Sequence, residues 1–221
     1  MRANVQGENV YTTLISNLMI IGSVIKIEDH RKTTAYSKPA KPVMTIKPEE
    51  EQIASRSLAI TQGSIAPDFS LKTTPDQAVT LKEFQGRPVV LVFYPADFSP
   101  VCGDEMTLVN ELMQEFDRFN AQVLGISVDN VWCHLAFSKD RRLRFPLLSD
   151  FHPKGDVAHK YGVYREEDGV TERALFVIDG NGTVHWSYIS PIGVNPSVNG
   201  VLAALESLNR SKEQFEEIKK K

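Results

Sequence analysis

The feature that most constrains the fold is an unbroken apolar run from Val89 to Tyr94 (VVLVFY), which Pro95 ends. A strand with one face in water alternates apolar and polar side chains, whereas a parallel strand covered on both faces is apolar throughout. A second run of this kind, QVLGIS, extends from Gln122 to Ser127. The segment between them has apolar residues at helical spacing, at Leu108, Leu112, Met113, Phe116 and Phe119. Together the three segments predict a parallel β-α-β unit.

The segments on either side predict the rest of a mixed sheet. Ala66 to Leu71 predicts a short extended piece, and Thr80 caps a helical turn that ends at Phe84. After the β-α-β unit come a predicted helix (132–143), a short strand running into a loop (145–150), a β-hairpin (174–178 and 183–189) and a closing helix (198–208). The hairpin turn, Asp179 to Gly182, contains Asp-Gly and Asn-Gly pairs, which accept positive φ at low cost. This order of elements predicts an α/β, thioredoxin-like domain with a mixed central sheet flanked by helices.

The first 58 residues differ in composition from the rest. From His30 to Pro48 the chain is rich in Lys, Thr, Ser and Pro and shows no period, which is typical of a linker. The apolar stretch from Leu14 to Ile27 is much shorter than the roughly 20 apolar residues that span a bilayer, and Glu8 before it argues against a signal peptide. We therefore predict a mobile or linker-like extension over 1–58 and a thioredoxin-like domain over 59–221. Met44 offers an internal start, which the N-terminal mass of native protein tests.

Charge and cysteine content argue against several classes of protein. A formal net charge of −3 and the lack of a long Lys/Arg block give no electrostatic footprint for nucleic acid or an anionic membrane. Two cysteines in 221 residues do not make a disulfide scaffold. They indicate a reducing, cytoplasmic compartment, in which thiols stay available for chemistry.

Cys102 lies where a reactive thiol is expected. It follows the first buried strand after a short loop and opens the amphipathic helix, whose unpaired amide groups and dipole favour the thiolate. Free cysteines are usually packed in apolar surroundings, but Cys102 has polar neighbours at Asp97, Ser99 and Asp104. We predict that Cys102 is a nucleophile rather than a core residue.

Four further residues could complete a site around a reactive thiolate. Ser99 could donate a hydrogen bond to the sulfur or to an oxygen of a bound substrate, and Pro95 could shield the pocket from water. Arg173 could supply a cation to the thiolate and the substrate, although an arginine that opens a strand is usually a surface residue. Glu105, one turn beyond Cys102, could orient Arg173 rather than act as a base, because a carboxylate beside a thiolate opposes its ionisation.

The segment from Pro95 to Cys102 (PADFSPVC) resembles the active-site signature of the peroxiredoxins, the alkyl hydroperoxide reductase and thiol-specific antioxidant family, which reads Pro-x-x-x-Thr/Ser-x-x-Cys. Glu105 stands where that family usually has a glutamate. Further landmarks follow in family order between 63 and about 208: APDF (66–69), GISVD (125–129), FPLLSD (145–150), YGV (161–163) and RALFVID (173–179).

This resemblance implies a thioredoxin-like fold, attack of the Cys102 thiolate on a hydroperoxide, and a sulfenic acid intermediate. It further implies reduction by thioredoxin or another thiol without metal or organic cofactor, a role in antioxidant defence, and homo-oligomers. Roles are implied for Pro95, Ser99, Cys102 and Arg173. Ser99 replaces the commoner threonine and keeps its hydroxyl.

Cys133 is the one candidate for a resolving cysteine. No cysteine follows it, which excludes the subtype with a C-terminal resolving residue, and Thr107 occupies the place of a partner five residues beyond Cys102. Both cysteines should lie at the same edge of the sheet, yet a disulfide needs Cα atoms within about 7 Å, so both helix starts would have to loosen. Resolution by Cys133 and direct reduction by an external thiol both remain open. We expect the adjacent His134 to be a packing or capping residue rather than a base.

Three other functions were weighed. A thiol-disulfide oxidoreductase favours a Cys-x-x-Cys pair, which this chain lacks. A metal site from Cys102, Cys133, His134 and His152 would lack the short paired spacings of zinc motifs. A thioredoxin-fold holdase chaperone is a third alternative, on which the sequence gives no direct information.

Overall fold

The computed structural model describes residues 59–219. The predicted extension over 1–58, including the apolar stretch from Leu14 to Ile27, lies outside the described residues, as do Lys220 and Lys221. Within 59–219, no helix is both long and apolar enough to cross a bilayer.

The predicted elements occur in the predicted order, together with four that were not predicted. The strands are β1 (Ser70–Lys72), β2 (Ala78–Thr80), β3 (Val89–Phe93), β4 (Gln122–Ser127), β5 (Leu147–Ser149), β6 (Tyr164–Arg165), β7 (Val170–Thr171), β8 (Arg173–Ile178) and β9 (Val184–Ser190). The helices are α1 (Pro100–Glu111), α2 (Met113–Arg118), α3 (Val131–Arg141), α4 (Asp156–Lys160) and α5 (Asn199–Lys219), with a short 3₁₀ helix at Leu81–Phe84. Thr80 is the N-cap residue of that short helix, as predicted, and its backbone N–H donates to Glu83 Oε1 at 2.8 Å. The four elements that were not predicted are β2, β6, β7 and α4.

Seven strands form one mixed sheet in the order β2-β1-β5-β4-β3-β8-β9, and β6 and β7 form a separate hairpin. Strands β3, β4 and β5 are parallel to one another, whereas β8 runs antiparallel to β3 and β9 antiparallel to β8. The predicted β-α-β unit, the β8-β9 hairpin and the thioredoxin-like arrangement are therefore confirmed.

Strand β3 lies at the centre of the sheet and is buried on both faces, as its composition predicts. Val90 and Val92 pack with residues of α1, α3 and α5, whereas Leu91 and Phe93 pack in a second cluster with residues of α4. Full burial of one such side chain stabilises the fold by about 1.5–3 kcal/mol. The two clusters therefore hold helices against both faces of the sheet.

Two predicted helix ends were wrong. Helix α5 continues to Lys219, beyond the predicted end at Leu208, through a segment that contains residues of high helix propensity such as Glu213, Gln214 and Glu217. Helix α3 ends at Arg141 instead of Leu143, where Arg142 takes a left-handed conformation with φ 53°.

Candidate active site

The carboxyl ends of β3 and β4 bring the two cysteines to one edge of the sheet. These strands pair in parallel, with Phe93 opposite Ile126. Helices α1 and α3 begin just beyond their ends, with Cys102 and Cys133 as their third residues. The predicted placement at neighbouring strand ends is therefore confirmed.

Helix α1 begins at the sequence Ser99-Pro100 for local reasons. Proline is favoured as the first residue of a helix, where its missing N–H has no partner to lose. The Ser99 Oγ caps the helix by accepting a hydrogen bond from the Cys102 N–H at 3.4 Å. The cap leaves the hydroxyl hydrogen of Ser99 available to a bound peroxide.

Cys102 is 0% exposed, and Arg173 lies directly beside it. Arg173 Nη2 donates to Cys102 Sγ at 3.4 Å. Nε and Nη2 of the same guanidinium also donate to the carbonyl oxygen of Ile192, at 3.1 and 3.0 Å. Arg173 is 1% exposed. It is therefore a buried cation whose guanidinium is held by a backbone carbonyl group, and not the exposed residue that is usual for an arginine at the start of a strand.

Glu105 lies on the other side of the Arg173 guanidinium. Its Oε2 accepts a hydrogen bond from Arg173 Nη1. Its Oε1 is buried and has no hydrogen-bond partner among the described residues. Burial raises the pKa of Glu105 to about 7, although the charge of Arg173 and its hydrogen bond act in the opposite direction.

The loop between β3 and α1 closes over the thiol. Pro95 is buried, whereas Phe98 is 50% exposed and has φ 59°. The Phe98 ring packs at a tilt against Phe137 of α3, with ring centroids 5.1 Å apart. The guanidinium of Arg141 lies over Gly103 on the first turn of α1, where a Cβ atom would come within 2.9 Å of Arg141 Nη2. The structure thus brings together the predicted residues Pro95, Ser99, Cys102, Glu105 and Arg173.

Cys133 has a different environment, which contains two carboxylates. Its Sγ lies within 4.8 Å of an oxygen of Asp97 and an oxygen of Asp129. Burial, the hydrogen bond to Asp97 and the charges of both carboxylates raise the pKa of Cys133 to about 12. Cys133 is therefore held as a neutral thiol.

His134 is a buried hydrogen-bonded residue, 1% exposed. Its Nδ1 lies 2.9 Å from Asp97 Oδ2, and its Nε2 lies 3.2 Å from the carbonyl oxygen of Leu148. Tyr94 completes the group by donating its hydroxyl hydrogen to Asp97 Oδ1 at 2.7 Å. His134 joins α3 to the loop and to β5, which agrees with the packing role expected for it.

The metal site considered for Cys102, Cys133, His134 and His152 does not form among the described residues. The one group of three candidate ligands there is Asp97, Asp129 and Cys133. The Asp97 oxygens already accept from Tyr94 and His134. Cys102 instead contacts an arginine, which repels metal cations.

Four residues near the two cysteines were not predicted to take part in their surroundings: Tyr94, Asp97, Asp129 and Arg141. Asp97 was noted as a polar neighbour of Cys102, but its partner His134 is 37 residues away. The one available signal was a tyrosine and an aspartate three residues apart at the end of an apolar strand, and that pattern does not identify a partner.

Comparison with known proteins identifies the family. The family model described as AhpC/TSA family matches residues 62–187. The 2-Cys peroxiredoxin BAS1, chloroplastic, of Hordeum vulgare is 35% identical over 165 residues, which cover 70% of this chain and 78% of the barley protein. The thioredoxin peroxidase of Echinococcus granulosus is 34% identical over 160 residues, or 68% of this chain and 82% of that protein.

A solved structure agrees with these relatives. The crystal structure of peroxidoxin BcpB from Mycobacterium tuberculosis superposes with a TM-score of 0.62 at 33% identity, covering 67% of this chain and 98% of that one. Because the family model spans more than half of the 221 residues, and the fold and the site agree with it, the chain belongs to the AhpC/TSA family of peroxiredoxins.

Proposed function

We propose that Cys102 carries the thiol-dependent peroxidase reaction of this chain. The observation that carries the proposal is the buried contact between Arg173 Nη2 and Cys102 Sγ at 3.4 Å. A fixed guanidinium stabilises the thiolate before the reaction and the charge that develops on the leaving oxygen during it. The thiolate attacks one peroxide oxygen, the O–O bond breaks, and Cys102 becomes a sulfenic acid.

The neighbouring residues orient the substrate and exclude water. Ser99 donates its hydroxyl hydrogen to the peroxide, and Pro95 fills the wall behind the thiol. Because Cys102 is 0% exposed, a peroxide reaches Sγ only when side chains of the 95–99 loop move aside. Phe98, half exposed at the outer end of this loop, is the side chain with the most freedom to do so.

The surroundings of Cys133 favour an external thiol, rather than Cys133 itself, as the reductant of the Cys102 sulfenic acid. A resolving thiol attacks as the thiolate, and the raised pKa of Cys133 opposes this while its hydrogen bond to Asp97 persists. An intramolecular disulfide requires the first turn of α3 to leave Asp97. We therefore propose that thioredoxin or a small thiol reduces Cys102, and that Cys133 resolves it slowly or not at all.

Mass spectrometry of the intact protein tests both proposals. The reduced protein receives one equivalent of hydrogen peroxide, alongside Cys102→Ser and Cys133→Ser variants. We expect one added oxygen on Cys102 that Cys133→Ser leaves unchanged and Cys102→Ser abolishes. Loss of two hydrogens, abolished by either substitution, would instead make Cys133 the resolving partner. No fast reaction at Cys102 would refute the peroxidase assignment of this residue.

We also propose a cytoplasmic homo-oligomer that acts in antioxidant defence. The two-cysteine composition supports a reducing compartment. The exposed aromatic side chains of Trp132 and Phe151, 68% and 53% exposed, are of a type enriched at protein interfaces. Light scattering of the purified chain and fractionation of cells test the assembly and the compartment, and a monodisperse monomer would contradict the former.

A further inference from the structure

The buried site holds two groups that can become negative and one that is positive. The Arg173 guanidinium donates to Cys102 Sγ and to the Glu105 carboxyl group. None of the three side chains is more than 2% exposed. A thiolate and a carboxylate together would exceed the single positive charge, and an uncompensated charge in such a site is strongly disfavoured.

The surroundings of Glu105 allow its carboxyl group to take up a proton. Oε2 accepts from Arg173, but Oε1 is buried and unpartnered among the described residues. Such an oxygen is costly when ionised. Arg173 is the one charged group that acts on this carboxyl among the described residues, and the raised pKa of Glu105 agrees with that balance. The neighbouring Asp104 faces solvent, and Arg141 lies over Gly103.

We propose that Glu105 is the proton carrier of the peroxidase site: it takes the proton that the Cys102 thiol releases and returns it to the leaving oxygen. This inference rests on the proposed function of Cys102. It departs from the expectation from sequence that Glu105 orients Arg173 rather than acting as a base, because the buried Oε1 has no partner among the described residues and can take up a proton. Cys102 and Glu105 are three residues apart on α1, and side chains at this spacing have Cβ atoms about 5–6 Å apart. One water molecule, or the bound peroxide, spans that gap.

The charges balance throughout the cycle. The S–H bond of Cys102 breaks and its proton moves to Glu105, which leaves a thiolate, a guanidinium and a neutral acid. A sulfur electron pair then forms the S–O bond to the terminal peroxide oxygen while the O–O bond breaks, so sulfur is oxidised and the peroxide is reduced. The leaving alkoxide takes the Glu105 proton and departs as the alcohol. The restored carboxylate pairs with Arg173, which the neutral sulfenic acid has released.

A pair of oxidants with different leaving groups tests this role. Ethyl hydroperoxide and peracetic acid are similar in size, but the first expels ethoxide, a strong base that needs a proton, and the second expels acetate, which does not. Glu105→Gln keeps the size of the side chain and an acceptor for Arg173 and removes the proton. Single-turnover rates at pH 7 are followed by tryptophan fluorescence, with Asp104→Asn as the matched control on the same helix.

We expect Glu105→Gln to slow the reaction with ethyl hydroperoxide by about 100-fold and that with peracetic acid by less than about 3-fold, the selectivity expected of a proton donor. Glu105→Asp, which still carries a proton, should retain the wild-type ratio of the two rates. Equal losses with both oxidants, or no loss with either, would overturn the inference. If the wild-type protein reacts with neither oxidant, the proposed function itself fails.

Discussion

The two cysteines occupy equivalent positions in the chain and opposite electrostatic environments. Each is the third residue of a helix that begins beyond a parallel strand, and each donates its N–H to the side chain that caps the helix. The acceptor is Ser99 Oγ at 3.4 Å for Cys102 and Asn130 Oδ1 at 3.1 Å for Cys133. By local structure alone, the two thiols should be equally activated.

Their neighbours decide otherwise. Cys102 Sγ contacts the guanidinium of Arg173, whereas Cys133 lies beside Asp97 and Asp129 and has a pKa raised to about 12. A helix N-terminus stabilises an anion by about 0.3–1 kcal/mol, which burial and two adjacent carboxylates outweigh. A helix N-terminus therefore does not by itself make a cysteine reactive, and four experiments test the difference between the two sites.

Removal of the cation should have the largest effect. We expect Arg173→Met to slow the reaction of Cys102 with hydrogen peroxide by about 100- to 1,000-fold, because loss of one preorganised donor to a developing anion costs about that much. Stopped-flow fluorescence measures the rate. Arg165→Met is the matched control, since Arg165 is partly buried and paired with Asp168 and Glu172 instead. A rate within 3-fold of wild type for Arg173→Met would show that the guanidinium is not what distinguishes Cys102.

Glu105, the carboxyl group near Cys102, should make the free energy of unfolding depend on pH. The pKa of Glu105 is about 7 in the folded state against an ordinary value of 4.5, so the folded state holds the proton more tightly. Stability that Glu105 contributes is then present below about pH 4.5 and is lost as pH rises to about 7. In a Cys102→Ser background, we expect Glu105→Gln to remove a decline on the order of 3 kcal/mol across this window. Urea unfolding at pH 4.5 and 8 tests it, and an unchanged decline would place the titration elsewhere.

Removal of a carboxylate beside Cys133 should make its thiol ionise and react more readily. In Cys102→Ser protein, where Cys133 is the remaining thiol, we expect Asp97→Asn to lower the pKa of Cys133. Its alkylation by iodoacetamide at pH 8 should accelerate by about 10-fold, the equivalent of one pKa unit. Asp129→Asn should have a smaller effect, because Asp129 acts on Cys133 through charge alone. Alkylation at the original rate in both variants would mean that burial alone protects this thiol.

Removal of the two helix caps should have the smallest effect, and the loss of stability should be similar at both helices. Ser99→Ala and Asn130→Ala each remove a helix cap, which typically costs about 1 kcal/mol of stability. Thermal unfolding should show comparable losses for the two variants. The rate with hydrogen peroxide should fall in Ser99→Ala and stay unchanged in Asn130→Ala, because the mechanism proposed above gives a hydrogen bond to the peroxide to Ser99 and not to Asn130. A matching fall in Asn130→Ala would contradict the separation of the two cysteine sites.

Much of the fold could be predicted because its signals are local. The buried run from Val89 to Tyr94, the helical spacing after Cys102 and the Asp-Gly and Asn-Gly turn predicted the central strands, α1 and the β8-β9 hairpin. Helix α5 was predicted too short because its last turns contain few apolar residues, and helix propensity there is not marked by an apolar period. The pair Ser99-Pro100 also indicates a capped helix start just before Cys102, because serine is a favoured N-cap residue and proline a favoured first residue of a helix.

The order of the elements, the burial of the central strands and the placement of both cysteines at helix starts follow from side-chain periods and caps within a few residues. The choice of which cysteine has a cationic neighbour depends instead on contacts between distant parts of the chain. Arg173 is 71 residues from Cys102 along the chain, and Asp97 is 36 residues (133 − 97) from Cys133. Electrostatic interactions depend on distance through space and not along the chain. Two cysteines in equivalent local positions therefore have different neighbours, an arginine beside Cys102 and two aspartates beside Cys133.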